Sequence, residues 1–138
     1  MSEEQSGDEV RELTPAEEAE LQKLDDAIEK FGQQKRWSDM IRSILQKAEL
    51  VQAPAEKVDL FREAGMLYLD RSSNQAEAIK CFEQVLELAP EDSDAIERLK
   101  EMYEKRRDWE KLIRTMQREV ELLSEDDRVL RYQEMAEL

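Results

Sequence analysis

One pattern of residues occurs twice in this chain, and its spacing limits the folds that the chain can adopt. Residues 34–44 (QKRWSDMIRSI) and 106–116 (RRDWEKLIRTM) both place a basic pair shortly before a Trp, followed by Met or Leu, Ile, Arg and a hydroxyl residue at matching offsets. The two tryptophans, Trp37 and Trp109, are the only ones in the chain and lie 72 residues apart. A pattern that returns at a fixed distance is typical of a repeat protein.

Apolar residues recur at steps of three or four over most of the chain, which is the spacing of one face of an α-helix. Three such stripes begin at Trp37, Ala78 and Trp109. Each is preceded by another amphipathic segment, over residues 21–31, 58–69 and 94–103. Short polar breaks such as DRSSNQ and PEDSD separate the segments. The pattern therefore predicts pairs of antiparallel helices arranged in series.

The first helix of each pair, which we call the leading helix, gives the repeat length. Its first apolar anchor falls at Leu24, Phe61, Ile96 and Tyr132, in steps of 37, 35 and 36 residues. A repeat of this length built from two helices is the signature of a stacked array of helical hairpins. One hairpin cannot bury its apolar face alone, so each hairpin must pack on the next.

The middle unit resembles the tetratricopeptide repeat. That family has conserved residue types in the order aromatic, Leu-Gly, Tyr, Ala, aromatic, Ala and Pro. The middle unit has, in the same order, Phe61, Ala64-Gly65, Tyr68, Ala78, Phe82, Val85 and Pro90. The outer units lack the Gly, carry Met or Leu in place of an Ala, and are similar to a Trp-x-x-[Leu/Met]-Ile variant. The resemblance implies an all-α, right-handed α-solenoid of stacked antiparallel helix hairpins, with three repeats and the first helix of a fourth.

The predicted domain boundaries follow from these units. Residues 1–13 carry five acids against one base and lack apolar periodicity, so we expect a disordered acidic tail. Residues 14–138 would form the tetratricopeptide-like repeat domain, which opens with the helix-start pattern TPAE. Its repeats would span about residues 21–57, 58–92 and 93–127, followed by a partial repeat over 128–138.

The C-terminal segment RVLRYQEMAEL (128–138) repeats the opening of the second unit, KVDLFREAGML. Solenoids usually end in a polar capping helix, whereas this partial repeat would leave Leu130, Met135 and Leu138 exposed. Two interpretations are open. Either the chain belongs to a longer protein, which we favour, or the terminal helix packs on another chain, and these three residues would then support a homodimer.

Composition argues against several classes of function. The chain has 35 acidic and 21 basic residues and a net charge of −14, which disfavours binding to nucleic acid or to an anionic membrane surface. With one cysteine, no apolar leader and no apolar stretch of membrane-spanning length, we expect a cytoplasmic protein. The sequence contains no histidine, Gly-rich phosphate loop or Cys/His set, so we expect no enzyme, no metal and no cofactor.

Three local features have both a functional and a structural interpretation. In the functional interpretation, Cys81 is a reactive thiol beside Lys80. In the structural interpretation, which we adopt, it is a small core residue. The run EDSD at 91–94 lacks the Gly turn and the final Glu of a calcium loop, so its acids are better explained by the dipole of a helix start. Trp37 and Trp109 head apolar stripes, which favours core positions over exposed binding positions.

The family resemblance also implies where a partner would bind. In tetratricopeptide arrays the leading helices line a concave groove, and ligand peptides contact residues between the core anchors. Asp25 and Glu29 stand where members that clamp a C-terminal carboxylate need Lys and Asn, so that activity is not expected. Carboxylates would attract Lys or Arg, and Met66 and Leu69 would give an anchor side chain a place to dock. The predicted groove comprises Asp25, Asp26, Glu29, Arg62, Glu63, Met66, Leu69, Glu97, Arg98 and Glu101.

We therefore expect a non-enzymatic scaffold or adaptor that binds a Lys- or Arg-bearing peptide or helix of another protein in an acidic concave groove. The alternative is a structural assembly module that self-associates through its apolar terminal helix. A third interpretation of the charges is a solvated face that only keeps the array soluble.

Overall fold

The computed structural model describes the backbone of residues 12–136 and the side chains of residues 12–123. Over this range the chain is helical, as the repeat pattern predicts, and it contains no strand. The described helices are α1 (Pro15–Gln33), α2 (Trp37–Leu50), α3 (Pro54–Asp70), α4 (Gln75–Leu88), α5 (Ser93–Lys105) and α6 (Trp109–Ala136).

The helix starts follow from local side-chain chemistry. The Thr14 hydroxyl accepts a hydrogen bond from the Glu17 N–H at 3.1 Å, and the Glu17 carboxylate accepts one from the Thr14 N–H at 2.9 Å. This is the capping box that the TPAE pattern predicts. Asn74 caps α4 and Asp92 caps α5 through their side-chain oxygens. These caps satisfy backbone N–H groups that the first turn of a helix leaves unpaired.

The turn between α1 and α2 recurs between α5 and α6. Lys35 and Arg107, which lie 72 residues apart, both adopt a φ of 58°. The following N–H groups, of Arg36 and Asp108, both donate to the carbonyl five residues back at 2.9 Å. The repeated sequence therefore produces the same backbone turn twice.

The main contacts join helices that are consecutive in the chain, from α1 with α2 to α5 with α6. Contacts of this kind are expected of a solenoid, in which each unit packs on its neighbours along an axis. A globular bundle would also bring distant helices together. The predicted helical-repeat architecture is confirmed.

Two buried clusters form the core along this array. One joins α2, α3 and Cys81, and the other joins α4 and α5. Phe61 and Tyr68 of α3 pack against both clusters, so the core is continuous. Cys81 is buried, and burial raises the pKa of its thiol to about 11. The interpretation of Cys81 as a core residue is confirmed.

The closest helix crossing lies between α3 and α4. A Cβ atom added at Gly65 would lie 2.7 Å from the Phe82 ring, which is fully buried. Only a glycine allows this approach without displacing the ring. Ala78, also fully buried, is the other small residue that the sequence places at this crossing.

The C-terminal helix differs from the predicted boundary. A new leading helix was expected from about residue 128, but α6 continues without a break from Trp109 to Ala136. Pro54 begins α3 only four residues after α2 ends, whereas no Gly or Pro follows Pro90. Nothing in the sequence therefore forces α6 to end near residue 124. Most of the predicted acidic tail lies outside the described residues.

Candidate protein-interaction surfaces

The structure places the predicted groove residues on the three leading helices. Asp25, Asp26 and Glu29 lie on α1. The members on α3 are Arg62, Glu63, Met66 and Leu69, and those on α5 are Glu97, Arg98 and Glu101. All six acidic members of the set are exposed. The ten predicted residues do not share one role, because several of them are held by contacts within the protein.

Arg62 joins α3 to the start of α5. Its guanidinium Nη2 and Nη1 atoms donate to the two carboxylate oxygens of Asp92 at 2.6 and 3.1 Å, and Nη1 also donates to Asp94 Oδ2 at 2.9 Å. The hydrogen bond from Arg62 lowers the pKa of Asp92, and the same bond raises the pKa of Arg62. Bidentate pairs of this kind are among the stronger ones in proteins. Arg62 therefore stabilises the array and is occupied before any ligand arrives.

Arg98 is also held inside the array. Its Nε atom donates to Asp94 at 3.2 Å, and its guanidinium lies 5.8 Å from the centroid of the Phe82 ring. The two bases of the predicted groove thus have internal partners. Their positive charge is compensated by Asp92 and Asp94.

The acids of the set divide into two groups. Asp25 pairs with Lys47 at 2.6 Å, Asp26 accepts a hydrogen bond from Gln22, and Glu97 pairs with Lys100 at 3.3 Å. Glu29, Glu63 and Glu101 are exposed, and the described part of the chain offers them no ion pair. Asp26 also keeps its negative charge, because its partner Gln22 is neutral. Glu29, Glu63 and Glu101 supply one such uncompensated carboxylate on each leading helix.

Met66 and Leu69 differ from the expectation that they form an open docking place. Both are half-buried and pack against the core cluster of α4 and α5. Part of their apolar area is therefore used by the fold. Only the remaining part is available to a ligand.

A second surface, which the sequence analysis assigned to the core, is exposed on α6. We call it the α6 stripe. Its side chains step by four and three residues along one face of the helix, and each is about half exposed. The stripe consists of Trp109 (52% exposed), Ile113 (54%), Met116 (46%), Val120 (58%) and Leu123 (56%).

The prediction that Trp109 lies in the core is therefore wrong for the described chain. Trp37, its counterpart, is half-buried and lies beneath the Arg71 guanidinium at 4.8 Å. The reason for the difference is that α3 packs over α2, whereas no described element packs over the corresponding face of α6. The 72-residue offset identifies this face as an apolar stripe but predicts the same burial for both tryptophans.

Other kinds of site are not found in the described part of the chain. Its Cys, Asp and Glu side chains form no group of three that could hold a metal ion. None of its helices combines the length and the apolar character that crossing a membrane requires. The side chains of Leu130, Met135 and Leu138, predicted for self-association, lie outside the described residues.

Comparison with known proteins supports the repeat assignment. Residues 95–130 match the family model of the tetratricopeptide repeat. The match covers most of α5 and most of α6, although the residue resemblance is most detailed in the middle unit. A search of the curated proteins found no match to this chain. Tetratricopeptide repeats generally mediate protein–protein interaction. The array of consecutive hairpins and the match over residues 95–130 together support a tetratricopeptide repeat protein.

Proposed function

We propose that this protein is a non-enzymatic scaffold whose leading helices bind a Lys- or Arg-bearing segment of another protein. The observation that supports this proposal is the set of free carboxylates, Glu29, Glu63 and Glu101. The bases of the same surface, Arg62 and Arg98, are held by internal carboxylates. Each repeat therefore offers an exposed negative charge, and the positive charges of Arg62 and Arg98 are neutralised by their internal partners.

The strength of such binding follows from exposed electrostatics. A single exposed ion pair contributes about 0.2–1 kcal/mol, so three carboxylates alone give weak attachment. Contact with the exposed parts of Met66 and Leu69 would add apolar burial. We expect a dissociation constant on the order of micromolar, about −8 kcal/mol. Because salt screens exposed charges, binding should weaken as the salt concentration rises.

Charge reversal tests the position of the binding surface. The probe is a fluorescein-labelled amphipathic peptide with Lys at its polar positions, and a version with Glu at those positions serves as its counterpart. The test variant carries Glu29→Lys, Glu63→Lys and Glu101→Lys. The matched control carries Glu49→Lys, Glu87→Lys and Glu121→Lys, which changes the net charge equally at exposed positions of α2, α4 and α6.

We expect the test variant to lose at least about tenfold more affinity for the Lys peptide than the control variant, as measured by fluorescence anisotropy. The Glu peptide should not bind either protein. Equal losses in the two variants would mean that only net charge matters. In that case the assignment to the leading helices is wrong.

A further inference from the structure

We propose that the α6 stripe binds an amphipathic helix of another protein, and that this helix packs on α6 as α3 packs on α2. The stripe lies on a second helix of a hairpin, whereas the carboxylates proposed above lie on the leading helices. The inference therefore concerns a separate surface. It does not depend on the binding of a basic segment.

The face in question has a covered counterpart in the same molecule. The counterpart side chains on α2 and at its C-cap are at most 4% exposed, although they stand at the same positions of the repeat. They belong to a buried cluster that includes Leu60 and Ala64 of α3. The buried residues are Ile41, Ile44, Ala48 and Val51, each 72 residues before Ile113, Met116, Val120 and Leu123.

The covering helix α3 shows what the stripe would accept. Leu60, Ala64 and Leu67 lie on one face of α3 and pack on the cluster that contains the α2 face. Their steps of four and three residues match those of the stripe. The small Ala64 allows the two helix backbones to approach closely. A partner helix therefore needs one small residue with one large apolar residue before it and one after it on the same face.

A cation at the end of α3 completes this contact. The Arg71 guanidinium lies 4.8 Å from the Trp37 ring centroid, and Trp109 is the counterpart of Trp37. An arginine at the same offset would stack on the exposed Trp109 ring. The resulting pattern is Leu-x3-Ala-x2-Leu-x3-Arg. A second contact does not transfer: Lys57 binds the Ala48 carbonyl near the end of α2, whereas α6 continues past the equivalent Val120.

A second copy of this chain fits the stripe less well than a foreign helix. Its own α3 is buried in its own core. Its other related sequence, 128–138, places Arg131 at the position of Leu60 and Met135 at that of Ala64. Each copy also carries a net charge of −14, so two copies repel each other. Residues 124–136 of the same chain continue α6 and do not fold back over the stripe.

The test uses a labelled peptide with the sequence of residues 54–71, PAEKVDLFREAGMLYLDR, and the full chain. We expect saturable binding in fluorescence anisotropy with a dissociation constant of about 10–100 µM, because a free peptide of this length must pay for helix formation. Ile113→Asp with Val120→Asp in the protein should weaken binding at least about tenfold. The matched control is Leu88→Asp, at an apolar residue of α4 that is also exposed.

Variants of the peptide test the pattern. Leu60→Asp with Leu67→Asp should abolish binding, and Arg71→Ala should weaken it about two- to fivefold through loss of stacking on Trp109. The Glu29→Lys, Glu63→Lys and Glu101→Lys protein should bind this peptide as the unchanged protein does. The failure of one surface can therefore be distinguished from the failure of the other.

Three results would overturn the proposal. The first is the absence of binding up to about 1 mM peptide, well above the expected range. The second is binding that Ile113→Asp with Val120→Asp leaves unchanged. The third is a concentration-dependent dimer in sedimentation equilibrium that the same double variant dissociates, because the stripe would then be occupied by a second copy.

Discussion

Helices α2 and α6 follow the same turn and begin with the same Trp-x-x-[Met/Leu]-Ile pattern, yet their apolar faces have different surroundings. The face of α2 is buried under α3, and the face of α6 is half exposed. The local sequence therefore specifies the helix, the turn and the position of the apolar face. Whether that face is buried depends on the next hairpin in the array. This dependence is the property that distinguishes a repeat array from a globular domain.

The comparison has an energetic consequence. Full burial of a large apolar side chain contributes about 1.5–3 kcal/mol relative to exposure, and the α6 stripe obtains only part of this. The α6 end of the array should therefore open more readily than the region around α2. It also retains apolar area with which a partner can be bound.

The largest expected effect comes from one substitution made at two equivalent positions. Ile41 is 1% exposed and Ile113 is 54% exposed. We expect Ile41→Ala to lower the free energy of unfolding by about 2–5 kcal/mol, because it leaves a cavity in the core. Ile113→Ala should lower it by less than about 1 kcal/mol. Urea denaturation followed by circular dichroism measures both. Equal losses would show that the two faces are equally covered.

Two glycine substitutions compare the crowded crossing of α3 and α4, at Gly65, with the less crowded position of Gly32. Gly65→Ala should lower the free energy of unfolding by about 1–3 kcal/mol, because the new Cβ meets the buried Phe82 ring at 2.7 Å. The control is Gly32→Ala, whose Cβ would meet only the flexible end of Met40 at 3.3 Å. There the gain in helix propensity, about 1 kcal/mol at most, should offset the contact. A thermal melt of each variant compares them.

The Arg62–Asp92 pair tests the contact between repeats through pH. The pKa of Asp92 is lowered in the folded protein by the hydrogen bond from Arg62, whereas in the unfolded chain it is about 3.9. The folded state therefore binds fewer protons. The contribution of the pair is fully present above about pH 4 and is lost as the pH falls through the folded pKa.

We expect Arg62→Ala to cost about 1–2 kcal/mol at pH 7, and the difference from the unchanged protein should shrink below about pH 4. Urea denaturation across pH 2.5–7 (roughly the range of carboxyl titration) measures this difference. Arg42→Ala serves as the control, since Arg42 is exposed and pairs only with its helix neighbour Asp39. A pH-independent difference for Arg62→Ala would contradict the assigned role of Asp92.

The smallest expected effect concerns the turn that α2 and α6 share. Lys35 and Arg107 both have positive φ, which glycine adopts more readily than other residues. Lys35→Gly and Arg107→Gly should therefore change the free energy of unfolding by similar small amounts, about 0.5 kcal/mol or less, since glycine also gains entropy in the unfolded chain. Similar changes in the free energy of unfolding at Lys35 and Arg107, together with unequal changes at Ile41 and Ile113, would show that α2 and α6 differ only in the surroundings of their apolar faces.

Much of the fold could be predicted from residue spacing. The helical spacing of apolar residues predicted the hairpins, and the TPAE pattern predicted the cap at Thr14. The small residues Gly65 and Ala78 predicted the close crossing of α3 and α4. These features depend on neighbours within one hairpin. The boundary at residue 128 was wrong, because the likeness of 128–138 to a leading helix carries no signal that ends the helix before it.

The surfaces were harder to predict because they depend on contacts between hairpins. The pairing of Arg62 with Asp92 joins residues 30 positions apart, and no local pattern indicates it. Met66 and Leu69 were assigned to the groove by family position, but the core of α4 and α5 uses part of their surface. The exposure of Trp109 could not be inferred from its own helix, since it depends on what packs over that helix.

Thiol labelling at two equivalent positions tests the central claim, that burial of this apolar face depends on the next hairpin. In a Cys81→Ala background, single cysteines replace Ala48, which is fully buried, and Val120, which is 58% exposed. Both are treated with a thiol reagent under native conditions. We expect Val120→Cys to react at a rate close to that of a free peptide, and Ala48→Cys to react at least about 100-fold more slowly, because its reaction requires opening of the α2–α3 contact. Similar rates at the two positions would contradict the account.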